Sequence, residues 1–149
     1  MRVATFADLQ TEFLERVQQA VYCNMATIDF ENRPRSRIVH PVWEESTGWI
    51  ISWPATPKFK QIERNAHVSL AYIHDINKPV YVDGTAVWVT DRDEQWRVWH
   101  FYKTAPPPMG FDPEPHFGTI DHMHFGLLKI IPWRIELYTL RGEAIIWQP

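Results

Sequence analysis

The chain has 149 residues, of which 45% are hydrophobic, and it carries a formal net charge of -3 at pH 7. This length and apolar content predict one globular domain over residues 1–149, and the slightly acidic balance excludes the broad basic surface of a nucleic-acid-binding protein. The single cysteine, Cys23, excludes an internal disulfide. No cationic leader and no apolar run of ~18 residues is present, so we expect a cytoplasmic protein without membrane contact.

The first predicted element is an amphipathic helix over residues 5–20, because apolar side chains recur there at helical spacing. They are Phe6, Leu9, Phe13, Val17 and Ala20. Strands are predicted next over residues 22–29, 35–43 and 49–53, with polar turns between them. Turns this short cannot make parallel crossovers, so these strands should pair antiparallel.

The second of these strands carries two arginines on one face. Side chains alternate along a strand, so Arg35 and Arg37 share a face with Val39, while Ile38 and His40 lie on the other. Two like charges two positions apart gain nothing from each other, and they need either water or an anion. The two arginines are compatible with a solvated sheet edge and with an anion site.

A short helix follows, and its first turn is cationic. Thr56 is a good N-cap and Pro57 a good first helical residue, which predicts a helix over residues 57–64. Lys58 and Lys60 then lie at a helix end that carries roughly +0.5 of an elementary charge, where lysine is unfavourable. A phosphate at this end would be favoured by the dipole and by Lys58. The same lysines could instead keep an exposed turn soluble, and the sequence leaves both interpretations open.

The next helix, in contrast, begins with acidic residues. Thr90 with Asp93 resembles a capping box, and Asp91, Asp93 and Glu94 all complement the dipole at its start. The second half of the chain thus contains strands over residues 68–73 and 80–89, this helix with Trp96 and Trp99, and strands over residues 125–131, 133–140 and 144–147.

A proline-rich connection spans residues 104–121. It exceeds the ~12–15 residues usual for a loop in a compact domain. Met109, Phe111 and Phe117 supply apolar anchors, and consecutive prolines lower the entropy lost on ordering. We therefore expect an ordered lid.

The chain offers no catalytic set of side chains. His116, His122 and His124 cluster near Asp121, but their spacing is too loose to predict a metal site. One histidine could serve as an axial ligand of haem. We interpret Cys23 as a small buried strand residue. We expect His40 either to lie near a ligand or to have its hydrogen bonds satisfied on the sheet. An enzyme of this composition would rely on a cofactor for its chemistry.

Two stretches resemble a known family. Asn32-Arg33-Pro34-Arg35-Ser36-Arg37-Ile38-Val39-His40-Pro41-Val42-Trp43 and the segment from Pro57 to Leu70 are similar to the core of the pyridoxamine 5'-phosphate oxidase-like split barrels that bind flavin mononucleotide (FMN). The resemblance implies a six-stranded antiparallel split β-barrel with flanking helices. It also implies that Arg37 and Lys58 hold the phosphate of FMN, with Pro57 beside the lysine. By the same similarity the flavin ring and its ribityl chain lie along Ile38, Val39, Ile51, Ser52 and Trp53.

The resemblance further implies an FMN-dependent oxidoreductase acting on a small organic substrate, and a homodimer with cofactor sites at its interface. A dimer interface would also account for some of the eight tryptophans. Three alternatives stay open from the sequence: a deazaflavin-dependent reductase on the same fold, a non-catalytic flavin- or haem-binding module, and a plain dimerisation domain.

Overall fold

The computed structural model describes every residue from Met1 to Pro149, as one large sheet with helices against it. The nine strands are β1 Arg2–Val3, β2 Cys23–Ile28, β3 Pro34–Val39, β4 Val42–Glu44, β5 Thr47–Ile51, β6 His67–Tyr72, β7 Val80–Trp88, β8 Leu127–Leu137 and β9 Ile145–Trp147. The four helices are α1 Ala7–Ala20, α2 Pro57–Arg64, α3 Arg92–Thr104 and α4 Glu114–Phe117.

The sheet runs in the order β1-β9-β8-β7-β6-β2-β3, and the long strand β8 organises it. One edge of β8 pairs with β7, while the other edge pairs with β5 near its start and with β9 near its end. All pairs are antiparallel except β1 with β9. The expected class, mostly β with flanking helices, is confirmed. The strands number nine rather than six, and the hydrogen-bonded path ends at β3 without closing into a barrel.

Two prolines mark the largest differences between the predicted and the observed strands. The predicted strand 35–43 is divided at His40 and Pro41 into β3 and β4, because a proline nitrogen cannot donate to a ladder. Pro132 was expected to divide the last long strand, yet β8 continues through it. A register shift between Asp83 and Gly84 accommodates it, and a Cβ on Gly84 would lie 2.6 Å from the Ile131 carbonyl oxygen.

The helices largely confirm the local sequence signals. α1 buries Leu9, Phe13 and Val17 against the sheet, and α2 has the predicted bounds. The N-cap of α3 is Asp91 rather than Thr90, because the Asp91 carboxylate accepts from the amides of Asp93 and Glu94. No helix has the length and hydropathy needed to cross a membrane.

The buried side chains form two clusters. The larger lies between α1 and the inner face of the sheet, and the smaller joins α3 to β5 and the proline-rich segment. That segment is folded, as expected: Met109 is buried, Phe111 and Phe117 pack against the smaller cluster, and Lys103 pairs with Glu114 at 3.1 Å. Four tryptophans are buried, whereas Trp53 and Trp133 are exposed.

Candidate functional site

The strand β3 and the start of α2 enclose a cavity of about 420 Å³, which we call the cationic cavity. Its walls are polar or proline, with no other apolar side chain. They are formed by Arg35, Ser36, Arg37, Thr56, Pro57, Lys58 and Gln61. The fold thus brings three cationic side chains to one place, two from a strand and one from the first turn of a helix.

Lys58 is the most buried of these cations, with 7% of its surface exposed. Its ammonium group donates to the Thr56 hydroxyl at 2.8 Å, and this is its only hydrogen bond within the chain. Thr56 does not cap α2, since its hydroxyl donates instead to the Trp53 carbonyl at 3.0 Å. Burial, and to a smaller degree Arg37, lowers the pKa of Lys58. The site therefore holds a cation that is short of partners.

Arg37 is fixed by hydrogen bonds on the inner side of the sheet. Its Nη1 donates to the Met25 carbonyl at 3.1 Å and to the Thr27 hydroxyl at 2.8 Å, and its Nη2 lies 3.4 Å from Gln61 Oε1. Thr27 in turn donates to Gln61 at 2.6 Å. Burial, followed by the charge of Arg35, lowers the pKa of Arg37. The guanidinium group is thus pre-oriented, and its partners are all neutral.

No carboxylate lies within 4.0 Å of the charged groups of Arg35, Arg37 or Lys58. Elsewhere in the chain a buried cation has a counter-charge: Arg16 pairs with Glu12 and also donates to two backbone carbonyls. Burying a cation without a counter-charge is costly. The cationic cavity is therefore chemically suited to an anion with several acceptor oxygens, such as a phosphate.

The structure brings only some of the predicted cofactor residues together. Arg37, Pro57 and Lys58 line the cationic cavity. Ile38 points to the opposite face of the sheet and is 68% exposed, while Val39 is buried in the larger core cluster. Ser52 lies at the end of β5, where its amide donates to the Gly126 carbonyl at 2.9 Å.

The two remaining predicted residues, Ile51 and Trp53, line a second cavity of about 440 Å³. We call it the aromatic pocket, and its other walls come from Phe111, His116, Phe117, His122 and His124. Of the two other cations in these segments, Arg35 lines the cationic cavity, whereas Lys60 is exposed and lies outside its wall.

Sequence reasoning missed Thr27 and Gln61, which orient Arg37. The signal for Gln61 was present, because it follows Lys58 by three residues and so lies on the same side of α2. Thr27 pairs with Arg35 across β2 and β3 and faces inward. Met25, two residues earlier on the same face of β2, pairs with Arg37. Only the strand pairing reveals that relation.

Other candidate groups are not placed for catalysis. Cys23 is buried beside Tyr72, and burial raises the pKa of its thiol to about 12. His40 lines neither cavity, and its Nε2 is buried without a hydrogen-bond partner in the chain. No group of three or more His, Cys, Asp or Glu side chains is arranged to hold a metal ion.

Residues 9–111 match the family model described as pyridoxamine 5'-phosphate oxidase. No curated protein matches the sequence significantly.

Solved structures share the fold along nearly the whole chain. A protein related to general stress protein 26 from Clostridium acetobutylicum is 14% identical, covers 95% of this chain and 94% of its own, and gives a TM-score of 0.74. A pyridoxamine 5'-phosphate oxidase-related, FMN-binding protein from Nostoc punctiforme is 19% identical, with coverages of 95% and 87% and a TM-score of 0.67. The heme storage protein HutZ from Vibrio cholerae is 20% identical, with coverages of 91% and 99% and a TM-score of 0.67.

Proposed function

Because the chain belongs to the pyridoxamine 5'-phosphate oxidase family, we propose that it binds FMN through the cationic cavity and acts as an FMN-dependent oxidoreductase on a small organic substrate. One observation carries the proposal. Lys58 and Arg37 converge in a cavity that contains no carboxylate, and Lys58 is almost completely buried there. A phosphate supplies both the charge and the acceptor oxygens that these two side chains lack.

The polar wall of the cationic cavity fits the phosphate and the ribityl hydroxyls of FMN. Arg37, Lys58 and Arg35 would balance the phosphate charge, while Ser36, Thr56 and Gln61 offer hydroxyl and amide groups for hydrogen bonding. A bound flavin supplies hydride or electron transfer, so the chain needs no acid, base or nucleophile set of its own. The role of these residues is to bind and orient the cofactor.

The flavin ring needs an apolar wall, and the cationic cavity has none apart from Pro57. The ring must therefore extend beyond it, and the segment from Ile51 to Trp53, which leads into α2, is a suitable surface nearby in the chain. We propose that a second copy of the chain completes the ring site, so that the functional unit is a homodimer.

The outer face of the sheet supports this assembly. Ile38, Asn24, Ala71 and Tyr81 form one row across four strands, and all four point away from the core. Further along the same face lie other exposed apolar side chains, namely Val87, Ile131 and Trp133. Exposed apolar side chains gathered on one face of a sheet are typical of protein interfaces.

The oligomeric state is tested by sedimentation equilibrium. We expect a dimer for the natural chain and a monomer for the double variant Ile131→Lys, Trp133→Lys, because two charges would be buried at the interface. Leu140→Lys is the matched control, since Leu140 is exposed in the hairpin after β8 and should leave the dimer intact. A natural chain that is monomeric at micromolar concentration contradicts the dimer.

The cofactor is tested by absorbance of the purified protein and by titration of the cofactor-free protein with FMN. A flavin band near ~450 nm and saturable uptake of FMN support the proposal. A Soret band would instead favour haem, and preference for a deazaflavin over FMN would favour that reductase class. A colourless, folded protein that takes up no flavin contradicts FMN binding.

Turnover is a separate measurement from binding. The FMN-loaded protein should reduce or oxidise a small organic substrate in steady state with a chemical electron donor or acceptor. Stable binding of FMN with no change of its redox state under such conditions would identify a storage or sensing module on the same fold.

A further inference from the structure

The cationic cavity and the aromatic pocket lie at the two ends of one short turn. Trp53, in the wall of the aromatic pocket, accepts at its carbonyl from the Thr56 hydroxyl at 3.0 Å. The same hydroxyl accepts from the Lys58 ammonium at 2.8 Å, and both Thr56 and Lys58 line the cationic cavity. Two hydrogen bonds thus connect the two walls, and one elongated ligand with an anionic end is suited to both cavities.

One wall of the aromatic pocket is flat. The rings of Trp53 and His124 stack at 4.1 Å with an angle of 16° between their planes. Trp53 nevertheless keeps 53% of its surface exposed, so the indole is held in a fixed orientation with much of its surface left uncovered. The pocket volume of about 440 Å³ lies within the roughly 300–1,000 Å³ usual for small-molecule sites. A fixed indole beside a cavity of this size favours a planar ring system such as a flavin.

The polar side chains of the aromatic pocket are all imidazoles. His122 Nδ1 accepts from the His124 amide at 3.1 Å, so a neutral His122 ring carries its proton on Nε2. That N–H has no acceptor within the chain, and the side-chain nitrogens of His116 and His124 are likewise without partners. The pocket therefore offers a ligand ring hydrogen-bond donors that the protein itself does not use.

The charges around these histidines favour an electron-rich ligand edge. No carboxylate lines the pocket. The nearest acidic side chains in sequence are already neutralised, since Glu114 pairs with Lys103 at 3.1 Å and Asp121 pairs with Arg92 at 2.7 Å. The pyrimidine edge of a flavin consists of carbonyl oxygens and ring nitrogens, and it carries negative charge once the flavin is reduced. Hydrogen bonds from the imidazoles to that edge are strengthened by the charge.

We propose that, in the FMN-bound protein, His122 donates from Nε2 to the pyrimidine edge of the flavin ring, with His116 and His124 beside it, and thereby favours reduced over oxidised flavin. The proposal rests on the FMN function proposed above. It assigns a role to the histidine cluster, whose rings are not arranged to hold a metal ion. It also gives the proline-rich segment a role, because that segment brings His116 and Phe117 to the pocket.

Two substitutions of His122 separate its contact with the ring from its place in the turn. In His122→Asn the side-chain oxygen takes the position of Nδ1 as acceptor for the His124 amide, but the donor at Nε2 is lost. In His122→Gln the side-chain amide reaches the position of Nε2 and restores a donor. The first variant therefore keeps the turn without the ring contact, and the second keeps the ring contact without the turn.

The midpoint potential of the FMN-loaded protein measures the ring contact. His122→Asn should weaken reduced FMN about tenfold more than oxidised FMN, which lowers the potential by about 30 mV, and His122→Gln should recover most of that shift. His74→Asn is the matched control, since His74 is exposed in the turn between β6 and β7. An unchanged potential in His122→Asn, or an equal shift in His74→Asn, overturns the proposal.

Riboflavin, which lacks the phosphate, tests whether the ring lies in the aromatic pocket. Trp53→Ala should weaken riboflavin and FMN by the same factor, about tenfold, through loss of stacking. Lys58→Glu should weaken FMN and leave riboflavin within about twofold, because it acts on the phosphate. Tyr22→Ala is the matched control, since Tyr22 is also exposed and packs against a histidine, but lines neither cavity. Absence of saturable riboflavin binding, or equal binding to Trp53→Ala and the natural chain, overturns the ring site.

These measurements distinguish failure of the ring contact from failure of the FMN function. If the natural chain takes up neither FMN nor riboflavin, both are refuted. If FMN binds with the expected dependence on Lys58, but Trp53→Ala and His122→Asn change neither its affinity nor its potential, only the ring contact is refuted. If riboflavin binding depends on Trp53 while Lys58→Glu leaves FMN binding unchanged, the ring site is supported and the phosphate assignment is refuted.

Discussion

The helices α2 and α3 begin in opposite ways. α3 starts at Asp91, whose carboxylate accepts from two backbone amides, and Asp93 and Glu94 follow in its first turn. α2 starts at Thr56, whose hydroxyl makes no cap, and its first turn contains Lys58 and no acidic residue. A helix end is stabilised by acceptors and negative charge, so α3 satisfies its own dipole and α2 does not.

The two helix ends therefore differ in whether the chain itself supplies their counter-charge. The start of α3 is complete within the chain and contributes to stability. At the start of α2, the dipole, Lys58 and the nearby Arg37 all have the same sign, and the counter-charge is absent from the chain. Lys58 in the first turn of α2 weakens the free protein and lies next to two other cations. This arrangement is the one expected of a site that binds an anion.

The largest expected effect comes from reversing the charge at α2. Lys58→Glu should weaken FMN binding by about 1.5–3 kcal/mol, roughly 10- to 150-fold, because a charge-assisted contact to phosphate is replaced by repulsion. Flavin fluorescence titration measures the change. Lys60→Glu is the matched control: it makes the same substitution two residues further along, at an exposed position outside the cavity. Equal losses in the two variants, or no loss in Lys58→Glu, would show that the phosphate is not bound there.

In the cofactor-free protein, removing the charged side chain at the start of each helix should change the free energy of unfolding in opposite directions. Asp91→Ala should lower the free energy of unfolding by about 1 kcal/mol through loss of its cap. Lys58→Met should raise it by about 1 kcal/mol, because it removes a buried, unpaired cation and keeps the apolar stem. Urea denaturation in buffer without phosphate or sulfate measures both.

Two further variants control this comparison. Asp91→Asn retains an acceptor at the N-cap and should cost much less than Asp91→Ala. Lys60→Met removes a charge from an exposed position of the same helix and should change stability little. Destabilisation by Lys58→Met would mean that the lysine is a structural part of the free protein, and the comparison between the two helices would no longer point to an anion.

Features of the fold that depend on neighbouring residues could be predicted from the sequence, whereas features that depend on residues far apart in the chain could not. The bounds of α2 could be predicted, because Thr56 and Pro57 are local signals, whereas the approach of Arg37 to Lys58 was implied only by the family resemblance. The continuation of β8 through Pro132 could not, since it depends on a bulge in β8 at Trp133, which has no partner between Asp83 and Gly84 of the neighbouring strand β7. Trp53 and His124 are likewise stacked by the fold, and no periodic pattern in the proline-rich segment encodes that contact.

The smallest expected effect is a pH dependence that only α2 should show. Burial and Arg37 lower the pKa of Lys58 below the 10.5 of an exposed lysine. Between these two pKa values the unfolded chain binds one more proton than the folded chain, so the free energy of unfolding rises with pH in that window. The stability advantage of Lys58→Met over the natural protein should therefore shrink as pH approaches 10.5, measured by urea denaturation without phosphate. The corresponding difference for Asp91→Ala should stay constant over the same range, because that substitution removes a cap from another helix and leaves Lys58 unchanged. An advantage of Lys58→Met that grows with pH would mean that the folded protein stabilises the lysine cation by itself, with no need for a bound anion.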